Sequence, residues 1–148
     1  MSRSVELEIP AKPEFLSLAR LVITGAATIE PTFSDERIED LRIAVSEACT
    51  NAIEAHRISG VNERVVIKSD LGEDRIEVEI IDQGSGFDLG ETDPAPDATS
   101  PNRLSYERGL GIPLMRVLVD ETEFTVSPSG TTVRLVVSRP VNAVSGPE

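Results

Sequence analysis

Polar and apolar residues alternate at the start of the chain. Val5, Leu7 and Ile9 alternate with Glu6 and Glu8, which predicts a half-exposed strand over residues 4–9. Pro10 and Pro13 end it and open a helix. From Glu14 to about Thr28, Phe15, Leu18, Leu21, Val22 and Ala26 recur at helical spacing. The stretch Pro31–Phe33 interrupts. Ser34 then reads as an N-cap, and Asp35 and Glu36 suit the positive end of a helix dipole. The second helix runs from about Asp35 to Arg57, with Ile38, Leu41, Val45, Ala48 and Ala52 forming one buried stripe. Gly60 ends this region. Two strands follow, over 64–69 and 75–82, joined by Leu71-Gly72-Glu73-Asp74 as a hairpin turn. In the second strand Ile76, Val78 and Ile80 alternate with Glu77 and Glu79, so one face is dry and the other wet.

From Asp88 to Glu107 the pattern lapses, with Pro94, Pro96 and Pro101 among polar residues. A loop of ~20 residues inside a compact domain is unusual. It reads as a mobile lid over a ligand, at about 88–108, or as an inert surface loop. A short helix from Ile112 to about Asp120 and strands over 122–127 and 131–138 complete the pattern. The expected fold class is α+β: a two-layer α/β sandwich with helices on one face of a mixed, mainly antiparallel sheet. It forms one domain over residues 1–140, with a flexible tail at 141–148.

Composition narrows the functional classes. A length of 148 residues suits a single core. Aromatic residues make up only 3%, so the core is aliphatic and base-stacking platforms are not expected. The formal net charge of -12 opposes phosphate backbones, which argues against nucleic-acid binding. That charge serves solubility or an acidic face for a basic protein partner. The lone cysteine, Cys49, cannot form a disulfide within the chain and reads as a packed side chain. No signal-peptide core and no apolar run near the ~20 residues of a membrane span are present, so a cytoplasmic protein without a membrane partner is expected.

Four motifs carry chemistry. Glu47 and Asn51 lie four apart on the second helix and share a face, with Glu54 three further on. An amide oxygen suits Mg²⁺, and a neighbouring carboxylate can take a proton from a hydroxyl. The same spacing also describes an ordinary solvated helix face. Asp82-Gln-Gly84-Ser-Gly86-Phe87 follows a strand. Its aspartate can accept from the amino group of adenine, and its glycines allow close backbone approach. It also describes a strand-ending turn. Arg108-Gly109-Leu110-Gly111 opens a helix, where free N–H groups and a guanidinium can meet phosphate, or where two glycines make a hinge. Gly130-Thr131-Thr132 starts the last strand, either as a hydroxyl beside Asp82 or as an ordinary hairpin. His56 reads as exposed or packing rather than catalytic. No P-loop and no His-Arg-Asp catalytic loop occur.

In their order the four motifs resemble the GHKL (Bergerat) ATP-binding fold. Within it, Leu41-Arg-Ile-Ala-Val-Ser-Glu47-Ala-Cys-Thr-Asn51-Ala-Ile-Glu is similar to the N-box of the RsbW-like anti-sigma factors, which are serine-protein kinases. The likeness spans about residues 5–138. One departure is the family's histidine after the N-box asparagine, which is out of register here because Ala55 precedes His56. The resemblance implies ATP or ADP with Mg²⁺ as cofactors. Asn51 would ligate Mg²⁺, Asp82 would bind adenine, and Glu47 would be the general base. Gly84, Gly86, Gly109, Leu110 and Gly111 would shape the nucleotide pocket and lid hinges. Thr131 would support the adenine end and Arg108 the phosphate end. It also implies a sigma factor and a STAS-domain anti-sigma antagonist as partners, and a homodimer. The rival expectation is a non-catalytic, nucleotide-regulated binding module whose target need not be a sigma factor.

Overall fold

The computed structural model describes residues 3–29, 33–84 and 111–139. The expected lid and tail, and with them Gly86, Arg108, Gly109 and Leu110, lie outside the described residues. In chain order the elements are β1 (Arg3–Ile9), a 3-10 turn (Pro13–Phe15), α1 (Leu16–Ala27), α2 (Asp35–Ser59), β2 (Val65–Leu71), β3 (Arg75–Asp82), α3 (Gly111–Leu118), β4 (Glu121–Ser127) and β5 (Gly130–Ser138).

The sheet order is β1-β2-β3-β5-β4, and all four strand pairings are antiparallel. After α3 the chain enters the sheet at its edge as β4. It then turns back, so that β5 fills the gap between β3 and β4. That return sets Thr131 opposite Asp82. The crossover therefore places the glycine-threonine motif beside the aspartate motif, although they are far apart in sequence.

α2 spans the inner face of the sheet and packs against β3, β5, α1 and α3. Its ends are built as its residues dictate. Ser34 is extended and its hydroxyl accepts from the Arg37 N–H at 3.1 Å. At the other end Gly60 takes a left-handed φ of 69°, which glycine adopts without a Cβ penalty. Ile38, Leu41, Val45, Ala48 and Ala52 are buried as the pattern predicts, joined by Ala44, Cys49 and Ile53. Burial pushes the Cys49 thiol up to about 12, so it stays protonated and serves as a small packing group.

α1 follows its apolar spacing at Ala26, which is buried, and at Phe15, which packs on the core, but not at Leu18 and Leu21. Ala19, Ile23, Ala26 and Ala27 are buried, while Leu18 and Leu21 are exposed. Small alanines on the inner face fit α1 into the layer shared with α2. The larger leucines are left on the outer side.

The second face of the sheet carries charge. Register aligns Glu6, Lys68, Glu79, Arg134 and Glu123 in one row across all five strands. Arg134 also donates to Glu77 at 2.8 Å and, with Arg75, holds that carboxyl below its usual range. Alternating sign keeps this face wet and binds the strands laterally. The expected two-layer architecture is thus observed, with helices on one face. No described helix is long and apolar enough to cross a membrane.

Candidate active site

Asp82 ends β3 and is 93% removed from solvent, since its relative exposure is 7%. Two backbone N–H groups donate to its Oδ1: Gly84 at 3.0 Å and Thr131 at 3.3 Å. Burial raises the Asp82 carboxyl above its ordinary pKa, and these two donors only partly offset it. Both bonds fall on one oxygen. The second oxygen keeps acceptor capacity for a ligand donor such as an amino group.

Two glycines make this arrangement possible. A Cβ on Gly84 would come within 2.7 Å of the Ala55 Cβ and 2.8 Å of the Ala55 backbone. A Cβ on Gly130 would lie 1.9 Å from the Asp82 carbonyl oxygen, and its φ of +143° is itself strained for other residues. Close approach is therefore what both glycines supply. For Gly84, what approaches is α2.

The contact at Ala55 locates the remaining polar residues. Glu47, Asn51 and Ala55 stand four apart on α2 and so share one flank. Ala55 abuts the turn after Asp82. Asn51 then lies about 6 Å further along the helix axis, and Glu47 about 12 Å. That run is comparable to the reach of a nucleoside triphosphate from base to terminal phosphate. Asn51 is half-buried and its Nδ2 has no partner; the buried Thr131 Oγ1 is likewise unpartnered. A buried polar group without a partner costs about 1–3 kcal/mol. Unsatisfied groups on α2 and at the start of β5 are ones that a polar ligand would satisfy. The amide of Asn51 offers the hard oxygen that Mg²⁺ takes, and its amide nitrogen a donor to phosphate.

Glu47 also borders a second concavity of about 360 Å³, lined by Arg20, Arg42, Ile43 and Ser46. Arg20 donates to the Ser46 hydroxyl at 2.9 Å there, and Arg42 pairs with Glu39 at 2.6 Å. Glu47 thus faces this basic wall. Gly111 is the first residue of α3, which packs on α2, so that helix end belongs to the same layer.

Among the residues with predicted roles, the structure joins Asp82, Gly84 and Thr131 in one hydrogen-bonded unit, while Asn51 and Glu47 lie one and two turns back along α2 from Ala55, which abuts Gly84. One buried polar residue has partners that the sequence pattern does not show. His56 is 1% exposed, and its ring bridges the Glu63 carbonyl at 2.9 Å and the Gln83 N–H at 2.8 Å. Its position in the last turn of α2 is visible in sequence, but its partners are brought near only by the fold.

A buried aspartate at the end of an antiparallel sheet, with a helix packed against the turn after it, is the frame of the site. Residues 9–137 match the histidine kinase-like ATPase domain family. Curated relatives narrow this further. The serine-protein kinase RsbW of Bacillus velezensis is 41% identical over 137 residues, covering 88% of this chain and 82% of that protein. The RsbW of Bacillus licheniformis is 39% identical over 136 residues, covering 88% and 83%. That of Listeria monocytogenes is 37% identical over 131 residues, covering 83% and 80%. The chain belongs to the RsbW family of serine-protein kinases within the histidine kinase-like ATPases.

Solved structures agree on the fold. The RsbU and RsbW domains of Rv1364c from Mycobacterium tuberculosis superpose with a TM-score of 0.67 at 18% identity, covering 92% of this chain and 32% of that one. The histidine kinase domain of the blue-light activated kinase of Erythrobacter litoralis gives 0.51 at 18% identity, covering 88% and 62%.

Proposed function

We propose that this chain is an ATP-dependent serine/threonine-protein kinase and anti-sigma factor. It phosphorylates a STAS-type anti-sigma antagonist and sequesters a sigma factor, exchanging one partner for the other. The observation that carries the reading is the line Glu47–Asn51–Ala55 on α2, which ends against the Asp82–Gly84–Thr131 unit.

In this reading Asp82 accepts from the adenine amino group through the oxygen its backbone donors leave free. Thr131 supplies its unpartnered hydroxyl beside it. Asn51 would hold Mg²⁺, which when bound would neutralise phosphate charge. By the family resemblance Gly86, Arg108, Gly109, Leu110 and Gly111 would serve the phosphate end. Glu47 takes the proton from the partner's hydroxyl as its oxygen attacks the γ-phosphorus, the bond to the bridging oxygen breaks and ADP leaves. Positioning and charge neutralisation account for most of the rate, because phosphoryl transfer asks little covalent chemistry of the protein. The protein works in the cytoplasm as a homodimer.

The test uses the purified chain, labelled Mg-ATP and a panel of STAS antagonists from the same organism. Label on an antagonist serine or threonine is the expected result. Asn51→Ala is expected to abolish Mg²⁺-dependent ATP binding, measured by calorimetry with and without the metal. ATP binding without transfer to any antagonist would contradict the kinase reading and leave a sequestering module. Unchanged Mg-ATP affinity in Asn51→Ala would remove the metal assignment.

A further inference from the structure

The chemistry of His56 is fixed by its two partners. The Gln83 backbone N–H can only donate, so Nε2 accepts from it, at 2.8 Å. The Glu63 carbonyl can only accept, so Nδ1 carries the proton and donates to it, at 2.9 Å. Both ring nitrogens are therefore used, Nδ1 as donor and Nε2 as acceptor, and the ring is 1% exposed.

Its place in the site follows from what Gln83 joins. Gln83 lies between Asp82, the proposed reader of adenine, and Gly84, whose N–H donates to the Asp82 carboxylate at 3.0 Å. The peptide N–H held by His56 is thus the one directly after Asp82. On the other side, Gly84 is pressed against Ala55, the residue before His56 on α2. Two adjacent helix residues therefore clamp the turn: Ala55 by contact and His56 by hydrogen bond. The Glu63 bond anchors the ring to the loop that follows α2.

We infer that His56 is a positioning residue for base recognition: through the Gln83 N–H it holds the turn that aims the Asp82 carboxylate at the adenine amino group. This rests on the proposed adenine role of Asp82. A histidine kept only to satisfy two buried backbone groups would affect stability and leave base choice alone.

Two variants separate the two ring nitrogens. In His56→Asn the amide falls near the Nδ1 position, so it keeps a donor to Glu63 and loses the Gln83 bond. In His56→Gln the amide oxygen reaches the Nε2 position and can accept from Gln83. The measurement is the affinity of the full chain for Mg-ATP and for Mg-ITP, whose base carries an oxygen in place of the amino group. His56→Asn is expected to lower the preference for ATP over ITP by about tenfold or more, the worth of one hydrogen bond to a charged group. His56→Gln is expected to retain most of it.

Asp82→Ala serves as the reference and is expected to erase the preference. Erasure by Asp82→Ala with wild-type preference in His56→Asn overturns the positioning role and leaves the adenine reading intact. Equal losses in the Asn and Gln variants overturn the route through Gln83. Full preference in Asp82→Ala removes the adenine reading itself, and the inference with it.

Discussion

Asp82 is held under two opposed influences. Burial disfavours its charge, and two N–H donors to one oxygen favour it; burial prevails and its pKa is raised. A group whose folded pKa is raised contributes stability that is full below its unfolded pKa and is lost as pH rises through the folded value. Above its raised pKa the free protein therefore carries the ionised carboxylate at a cost. Asp82→Asn keeps an oxygen for the Gly84 and Thr131 donors and removes the charge. It is expected to raise the Tm at pH 7 and to weaken ATP binding at the same time. The gain in Tm should shrink as pH falls through the raised pKa of Asp82, where the wild-type carboxyl is also neutral. Thermal melts across pH, set beside ATP titrations, check both halves. A variant that is less stable at pH 7 would contradict the account of the site's electrostatics. At this scale the motif residues Asp82, Asn51 and Thr131 were legible, because aspartate after a strand, amide on a helix and threonine after glycine each announce a donor or acceptor. His56 was not, because what it does depends on Glu63 and Gln83, which only the fold brings to it.

At the scale of the element, α2 organises the site. Its caps at Ser34 and Gly60 and its stripe from Ile38 to Ala52 could be read directly, since each depends on local spacing. The burial of α1 could not, because its inner face is set by how closely its alanines let it approach the neighbouring layer, not by which side chains are largest. The joint between α2 and β3 depends on Gly84. Gly84→Ala places a methyl within 2.8 Å of helix backbone, which cannot rotate away. The expected cost is about 1–3 kcal/mol, the range for overpacking a tight contact. Adding Ala55→Gly removes one of the three clashing atoms and leaves the backbone carbon and oxygen, so it should not restore stability. Denaturant unfolding of the single and double variants checks this; full rescue would mean that the Ala55 methyl alone limits the approach.

At the scale of the whole molecule, the order of helices and strands could be predicted from alternating periods, and the helices on one face of an antiparallel sheet are those expected. The strand order could not. That β5 inserts between β3 and β4, and so sets Thr131 against Asp82, follows from the crossover after α3 rather than from any local pattern. The same topology leaves an alternating charge ladder on the outer face and reserves the inner one for α2. In the proposed reading the site is assembled from a sheet end and a helix flank, with Glu47 furthest from the proposed base-reading end. Binding and transfer should therefore be separable.

The most direct measurement sets ATP affinity beside phosphotransfer in Glu47→Ala. With Mg-ATP affinity held within about twofold of wild type, transfer to the antagonist serine or threonine is expected to fall by about a hundredfold or more, as for loss of a general base. Transfer at the wild-type rate would contradict the assignment of Glu47, and loss of ATP binding together with transfer would contradict the separation of base-reading and catalytic ends on α2.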